Sequence, residues 1–190
     1  MVTDRKKQLI DTVEVIVNLV RVVQLRRAIQ DASPEMHLSF WILINNSLLD
    51  IAVLDWCKLF GSDDEEHQPT HWKNVVADKD AFRNGLFSAA GVTKAKWEAY
   101  WVEMKKYRDN AVAHRSEKRR EIPNFPKYEL ALKSAHFYFE HVVPMLRDEF
   151  GITQEPATLK TYAQTFFEQA VKIARVAVGA TATLREEVDV

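Results

Sequence analysis

Residues 5–31, RKKQLIDTVEVIVNLVRVVQLRRAIQD, carry the pattern that decides the fold class. Aliphatic residues recur there at helical spacing, at Ile10, Val13, Val17 and Val20. A second set widens the apolar surface well beyond one stripe: Val15, Ile16, Leu19, Val22 and Val23. A helix that is apolar on several sides must be covered by more than one neighbour. The stretch therefore predicts a long helix packed among several others.

Composition favours the same fold class. The 190 residues include 5 glycines and 6 prolines, about half the usual share. An all-β protein needs many turns, and a dinucleotide-binding or P-loop fold needs glycine-rich phosphate loops. The chain is 47% apolar and 28% charged, which is typical of a soluble globular protein long enough for one domain. We therefore predict an all-α protein, and the composition argues against most nucleotide-cradling enzymes.

Capping residues divide the remaining chain into further helices. Ser33-Pro34-Glu35 predicts the start of a second helix, which Gly61 would end in a left-handed conformation. Gly91 and Thr93 mark a break between two more helices. We expect these later helices at about 80–89, 94–116, 128–149 and 156–184. Residues 1–190 thus form a single all-α domain, a helical bundle of four to five main helices, with 1–4 and 186–190 frayed.

Bulk charge and cysteine usage limit the possible partners. The formal net charge is −1, so any nucleic-acid contact must come from a local basic patch. The single cysteine, Cys57, excludes an intrachain disulfide and is predicted to be buried and inert. The apolar stretch 38–54 is interrupted by Asn45, Asn46 and Asp50, so we expect no membrane span. With no signal peptide recognised, the expected location is the cytoplasm.

The strongest chemical pattern is Tyr107-Arg108-Asp109-Asn110-Ala111-Val112-Ala113-His114-Arg115. Arginine is permanently charged and binds phosphate oxygens through a planar fork, while histidine changes protonation near neutral pH. Together they are a minimal set for cleaving an RNA phosphodiester by its own 2′-hydroxyl, which requires no metal.

Helix geometry limits how this motif works. Residues six apart lie about 120° apart around a straight α-helix, so Arg108 and His114 do not share one face, whereas Asn110 and His114 do. Either the helix ends or bends inside the motif, or a second subunit completes the site.

The segment resembles the R-X4-6-H signature of the HEPN superfamily, small helical-bundle proteins that include many metal-independent RNases of toxin and abortive-infection systems. A polar residue follows the arginine in that family, as Asp109 does here. The resemblance implies that Arg108 binds the scissile phosphate and that His114 is the general acid/base. It also implies that Asp109 orients Arg108, with Asn110 as a polar helper.

The resemblance further implies a HEPN-like bundle that forms a homodimer, with two motifs facing one cleft. The expected activity is cleavage of single-stranded RNA without a cofactor, in a toxin or defence setting, and the sequence does not identify an antitoxin. Basic residues directly after the motif are expected to hold the RNA backbone: Arg115, Lys118, Arg119 and Arg120. The alternative for them is a solvated helix terminus.

Two other functions remain open from the sequence. One is a non-catalytic HEPN-like bundle that binds RNA, a nucleotide or a partner protein. The other is a structural dimerisation domain. If the motif has only a structural role, Arg108 would form a salt bridge within the bundle and His114 would terminate a helix.

The remaining polar and aromatic residues predict structure rather than chemistry. His67 and His71 flank Pro69, which prevents both rings from stacking on one regular helix, so no metal site is predicted. Polar residues in the apolar second helix should find hydrogen-bond partners in the bundle or across a dimer: Asn45, Asn46, Asp50 and Asp55. Tryptophans at helical positions are expected in the core or an interface: Trp41, Trp56, Trp97 and Trp101.

Overall fold

A computed structural model describes residues 2–33, 35–61, 69–113, 126–153 and 158–185, and within them every regular element is helical. The prediction of an all-α protein is confirmed. The helices are α1 (Val2–Ala32), α2 (Ser39–Trp56), α3 (Trp72–Val75), α4 (Lys79–Ala90), α5 (Lys94–Tyr107), α6 (Tyr128–Phe150) and α7 (Leu159–Thr181). The described chain therefore has six helices of twelve or more residues and one single-turn helix, where four to five main helices were expected.

Helix α1 lies at the centre of the bundle and packs against α2, α6 and α7. Its aliphatic side chains are fully buried on more than one side, including Ile16, Leu19 and Val23 at 0% exposure. The breadth of the apolar surface in residues 5–31 is explained by this position, since three helices cover it.

Two of the residues that cap helix ends, Gly91 and Thr93, are the ones that the sequence predicted. The Thr93 hydroxyl accepts a hydrogen bond from the backbone N–H of Lys96 at the start of α5. Gly91 and Gly151 end α4 and α6 with φ of 68° and 67°, in the left-handed region that glycine enters without steric cost. The boundaries of α4 and α6 agree with the predicted ranges to within one residue.

Two predicted features of α2 are wrong. The helix begins at Ser39 rather than at Pro34, because the N–H of Ser33 bonds to the carbonyl of Ile29 and so closes α1. Gly61 is not left-handed either, since it ends a π-helical segment, Cys57–Gly61, that continues α2. Glycine is needed there for close approach: a Cβ at Gly61 would lie 2.9 Å from the Cβ and Sγ of Cys57.

An aromatic cluster joins the C-terminal half of α2 to α5. Trp56 is 0% exposed, and its ring centroid lies 5.5 Å from that of Phe60 and 5.4 Å from that of Tyr100. The Trp101 indole N–H donates a 2.8 Å hydrogen bond to the carbonyl of Phe60. The prediction that the tryptophans lie in the core or at its edge is confirmed, because Trp56 is buried and the other three are partly buried against the hydrophobic core: Trp41, Trp97 and Trp101. This cluster fixes the helix that carries Arg108.

One helix of the described chain, Ser39–Gly61, is long and apolar enough to cross a membrane by length and composition alone. In this structure 44% of its most apolar window is buried inside the protein. A core helix of a soluble protein passes the same test. Asp55 on this helix is bound by side chains of the bundle, as described below.

Candidate phosphate-binding site on a π-helical segment

The predicted motif begins where the geometry of α5 changes. Regular α-helical hydrogen bonding ends at Tyr107, and residues Arg108–Ala113 continue as a π-helical segment. A π-helix closes its hydrogen-bonded turns between residues five apart, and such segments are rare and frequent at functional sites. The described part of the motif therefore departs from regular α-helical geometry at Arg108.

Arg108 and Asp109 form a close ion pair on this segment. The Nε and Nη2 atoms of Arg108 each lie 2.7 Å from Oδ1 of Asp109. The hydrogen bond to Asp109 raises the pKa of the Arg108 guanidinium, which outweighs the lowering by partial burial. Two of the five guanidinium N–H donors therefore face Asp109, and the remaining three can bind other oxygen atoms.

Exposure distinguishes this pair from an ordinary surface ion pair. The side chain of Arg108 is 28% exposed and that of Asp109 is 51% exposed. Arg147 and Asp148 form a similar pair of consecutive residues, with 3.0 Å between Nε and Oδ1, but their side chains are 61% and 68% exposed. Arg108 is thus held more firmly against the protein while part of its guanidinium stays accessible.

A partly buried hydrogen bond connects the motif to α2. The hydroxyl of Tyr107 donates to Oδ1 of Asp50 over 2.8 Å, and Tyr107 is 2% exposed. Tyr107 was not predicted as a site residue, and Asp50 was predicted only to need a partner. The alternation of polar and apolar residues in α2 was the one signal that pointed to Asp50.

Cys57 lies within electrostatic reach of the motif and is inert. Burial raises the pKa of its thiol to about 11, while the charges of Arg108 and Lys105 lower it and that of Asp109 raises it. The side chain is free and 4% exposed. The prediction that Cys57 is buried is confirmed, and a thiol whose pKa is raised in this way carries little thiolate at neutral pH.

The structure brings three of the predicted site residues together. Arg108, Asp109 and Asn110 are consecutive on the π-helical segment, and all three side chains are partly buried. The other predicted site residues lie outside the described residues: His114, Arg115, Lys118, Arg119 and Arg120.

Two of the four polar residues of α2, Asp50 and Asp55, have the side-chain partners that were expected. Asp55 accepts hydrogen bonds from Asn18 over 2.6 Å and from Lys58 over 2.8 Å. Asp50 accepts from Tyr107, as above. Asn45 is buried, and its Oδ1 has no hydrogen-bond partner within the described part of the chain.

The two histidines considered as metal ligands do not form a described site. His67 lies outside the described residues, and His71 caps α3 by accepting a hydrogen bond from the N–H of Lys73. Among the described residues, no group of three or more His, Cys, Asp or Glu side chains is arranged to hold a metal ion.

A surface cleft of about 330 Å³ lies along α2 beside this site. Asp50, the acceptor for Tyr107, lies in its lining. The other lining residues are Ser39, Ile42, Leu43, Asn46 and Ser47. The hydrogen bond from Tyr107 to Asp50 therefore connects the arginine-bearing segment to an open face of α2.

Comparisons of the chain with models of known protein families, with characterised proteins and with solved structures found no match. The fold and the geometry of the site are therefore the basis for assigning a function.

Proposed function

We propose that the chain is a HEPN-like, homodimeric endoribonuclease of the cytoplasm that cleaves single-stranded RNA in a defence or toxin setting. The observation that carries the proposal is the Arg108–Asp109 pair, which presents a partly buried, permanently charged guanidinium on a π-helical segment. The spacing of Arg108 and His114 matches the R-X4-6-H signature, and the all-helical fold is compatible with a HEPN-like bundle.

In the proposed reaction, the 2′-hydroxyl of one nucleotide attacks its own 3′-phosphate. The new P–O2′ bond forms as the P–O5′ bond breaks, which leaves a 2′,3′-cyclic phosphate on one product and a 5′-hydroxyl on the other. His114 transfers protons between the attacking and leaving oxygens as general acid/base. Arg108 stabilises the negative charge that develops on the phosphate oxygens.

Asp109 is proposed as a positioning residue for Arg108. A guanidinium with two donors on one carboxylate oxygen has a fixed plane and so directs its remaining donors. Asn110 is the polar helper, and the basic residues after the motif hold the RNA backbone: Arg115, Lys118, Arg119 and Arg120. Binding through these residues would weaken as salt rises, because each phosphate contact releases counterions.

The test is cleavage of a labelled single-stranded RNA in EDTA by wild type, Arg108→Ala and His114→Ala. We expect wild type to produce cyclic-phosphate ends, and each variant to lose roughly 100-fold or more in rate. Arg147→Ala is the matched control, since it removes an arginine that also pairs with the next aspartate. Equal cleavage by wild type, Arg108→Ala and His114→Ala would overturn the proposal.

Binding without cleavage is the second candidate. The donors of Arg108 that do not face Asp109 suit any phosphate oxygen, whether or not it reacts. RNA binding that is retained by His114→Ala and lost by Arg108→Ala, with no cleavage by any variant, would identify a non-catalytic HEPN-like RNA-binding protein.

A further inference from the structure

Helix α2 carries an exposed apolar strip on the side opposite the core. Four large apolar side chains on this strip are exposed: Phe40 at 57%, Leu43 at 68%, Ile51 at 39% and Leu54 at 37%. With Ser47, they follow one another at steps of three or four residues. At about 100° per residue these five positions lie within about 80° of the helix circumference. We call these five residues the α2 strip.

The α2 strip is symmetric about its central residue. Phe40 and Leu54 lie seven residues on either side of Ser47, and Leu43 and Ile51 lie four residues on either side. An antiparallel copy of the same helix, related by a two-fold axis at Ser47, would place each large apolar side chain against another. Phe40 would meet Leu54 of the second copy, and Leu43 would meet its Ile51. A two-fold interface requires this reciprocal pairing of one surface with itself.

Charge agrees with the same arrangement. Lys58, which forms a 2.8 Å ion pair with Asp55 and keeps 48% of its side chain exposed, follows the C-terminal end of the α2 strip, and Glu35 is exposed four residues before α2 begins. An antiparallel two-fold pairing brings opposite ends of two copies of α2 together. Lys58 of one copy would then lie near Glu35 of the other at both ends of the interface, and a parallel pairing would bring like charges together instead.

We infer that the α2 strip is a self-association surface, through which two copies of this chain pack α2 against α2 in antiparallel orientation about Ser47. The small side chain at the centre permits close approach of the two backbones, while the four large side chains bury apolar surface on both sides of the axis. Helix axes of packed helices lie about 8–10 Å apart. The inferred surface does not depend on the proposed RNase activity.

One consequence of pairing through the α2 strip rests on the proposed RNase function and concerns the position of Arg108. Asp50 is three residues from Ser47, which is about 4.5 Å along the helix axis. Its hydrogen bond to Tyr107 connects the α2 strip to the segment that carries Arg108. Pairing about Ser47 would therefore bring the two Arg108-bearing segments to the same subunit interface.

The test measures oligomeric mass and cross-linking of the full chain. One copy has a mass of 22.0 kDa, and light scattering during size-exclusion chromatography should give twice that mass. Leu43→Glu introduces a charge into the strip and should weaken dimerisation roughly 100-fold, as expected for a central interface residue. Val176→Glu is the matched control, because Val176 is 75% exposed on α7 and the change is similar. Both sites are exposed, so thermal unfolding should show both variants folded.

Ser47→Cys reports the position of the two-fold axis. Helix axes about 8–10 Å apart, with Cα atoms about 2.3 Å from each axis, allow the short Cα separation that a disulfide requires. We expect Ser47→Cys to form a disulfide-linked dimer under mild oxidation, while Val176→Cys and the wild type, with its buried Cys57, do not.

Three outcomes would overturn the inference. The first is a dimer that survives Leu43→Glu and gives no Ser47→Cys cross-link. The second is a monomer at all concentrations. The third is a monomer that sediments with phosphatidylcholine vesicles and loses that binding in Leu43→Glu, which would assign the strip to a membrane surface. Mass and cross-linking do not depend on RNA cleavage, so failure here and failure of the RNase proposal are distinguishable.

Discussion

The Tyr107 hydroxyl and the Asp50 carboxylate form a 2.8 Å hydrogen bond that joins the end of α5 to the middle of α2. The bond lies one residue before Arg108 and is partly buried, since Tyr107 is 2% exposed while Asp50 lines the surface cleft on α2. It fixes the start of the π-helical segment and therefore the direction in which the side chain of Arg108 extends from the bundle.

Tyr107→Phe should therefore affect both stability and function. The change removes a hydrogen bond to a carboxylate, and we expect the free energy of unfolding to fall by about 2 kcal/mol. RNA cleavage by the folded variant should fall as well, because the hydrogen bond to Asp50 no longer holds the backbone next to Arg108 in place. Urea unfolding and the cleavage assay measure the two effects.

Tyr100→Phe is the control for this variant. The Tyr100 hydroxyl donates over 2.9 Å to the backbone carbonyl of Lys127, a neutral acceptor, so we expect a loss of only about 1 kcal/mol and unchanged cleavage. Equal effects of the two substitutions on cleavage would contradict the role assigned to the bond between Tyr107 and Asp50.

Asp109→Asn tests whether Asp109 positions Arg108. The amide keeps the shape of the carboxylate and removes its charge, so the guanidinium loses its ion pair and its fixed plane. We expect a roughly 10-fold lower rate of RNA cleavage, with the free energy of unfolding changed by less than about 0.5 kcal/mol, as for other partly exposed pairs. Asp148→Asn, in the matching pair with Arg147, should change neither quantity. A rate unchanged by Asp109→Asn would rule out the positioning role.

The buried thiol of Cys57 should lower stability at alkaline pH. In the unfolded chain the thiol ionises near its ordinary pKa of 9.0, whereas in the folded protein burial raises the pKa to about 11. Between these values the unfolded state releases a proton that the folded state retains, so stability falls as pH rises through this window and is fully present below pH 9. Cys57 alone should account for a loss of roughly 1 kcal/mol between pH 8 and pH 10.

The measurement is urea unfolding of wild type and Cys57→Ala at several pH values in that range. The slope with pH, rather than the absolute stability, is compared, because the substitution also creates a small cavity. We expect a shallower decline for Cys57→Ala. Buried Tyr100 and Tyr138 have pKa values raised by burial and act in the same direction at higher pH in both proteins. Parallel declines would show that the thiol ionises equally well in both states.

Two glycine substitutions should have opposite effects. Gly179 lies in α7 with no atom within 4 Å of where a Cβ would be, so Gly179→Ala should stabilise the protein by about 0.5–1 kcal/mol through helix propensity. Gly61→Ala should destabilise it by more than about 1 kcal/mol, because the new Cβ would lie 2.9 Å from two atoms of Cys57. Thermal unfolding measures both. Stabilisation by Gly61→Ala would mean that the π-helical turn does not need glycine.

The sequence predicted those helices whose ends carry their own local signals. Thr93, Gly91 and Gly151 act through hydrogen bonds and backbone angles within a few residues, so α4 and α6 and the start of α5 were found closely. The predicted start of α2 was wrong because the backbone N–H of Ser33 bonds to Ile29 in the last turn of α1. Whether Ser33 ends α1 or begins α2 depends on how far α1 extends. The single turn of α3 is too short for a hydrophobic period to reveal.

The candidate site was predictable only where its parts are neighbours in sequence. Arg108 and Asp109 are consecutive, and the resemblance implied that Asp109 orients Arg108, in agreement with their ion pair. The bond from Tyr107 to Asp50 spans 57 residues, and helix packing decides which tyrosine meets which aspartate. The exposed face of α2 escaped prediction because apolar periodicity does not distinguish residues that face the core from those that face outward.

The central position of α1 has a consequence for how the protein is made. A ribosome synthesises α1 before α7, which packs along α1 and follows about 130 residues later in the chain. At about 5–20 residues per second, the valines and leucines of α1 remain without their last covering helix for roughly ten seconds. Folding of the bundle therefore cannot be completed during synthesis of its first half, and the nascent α1 is a surface that cellular chaperones would recognise.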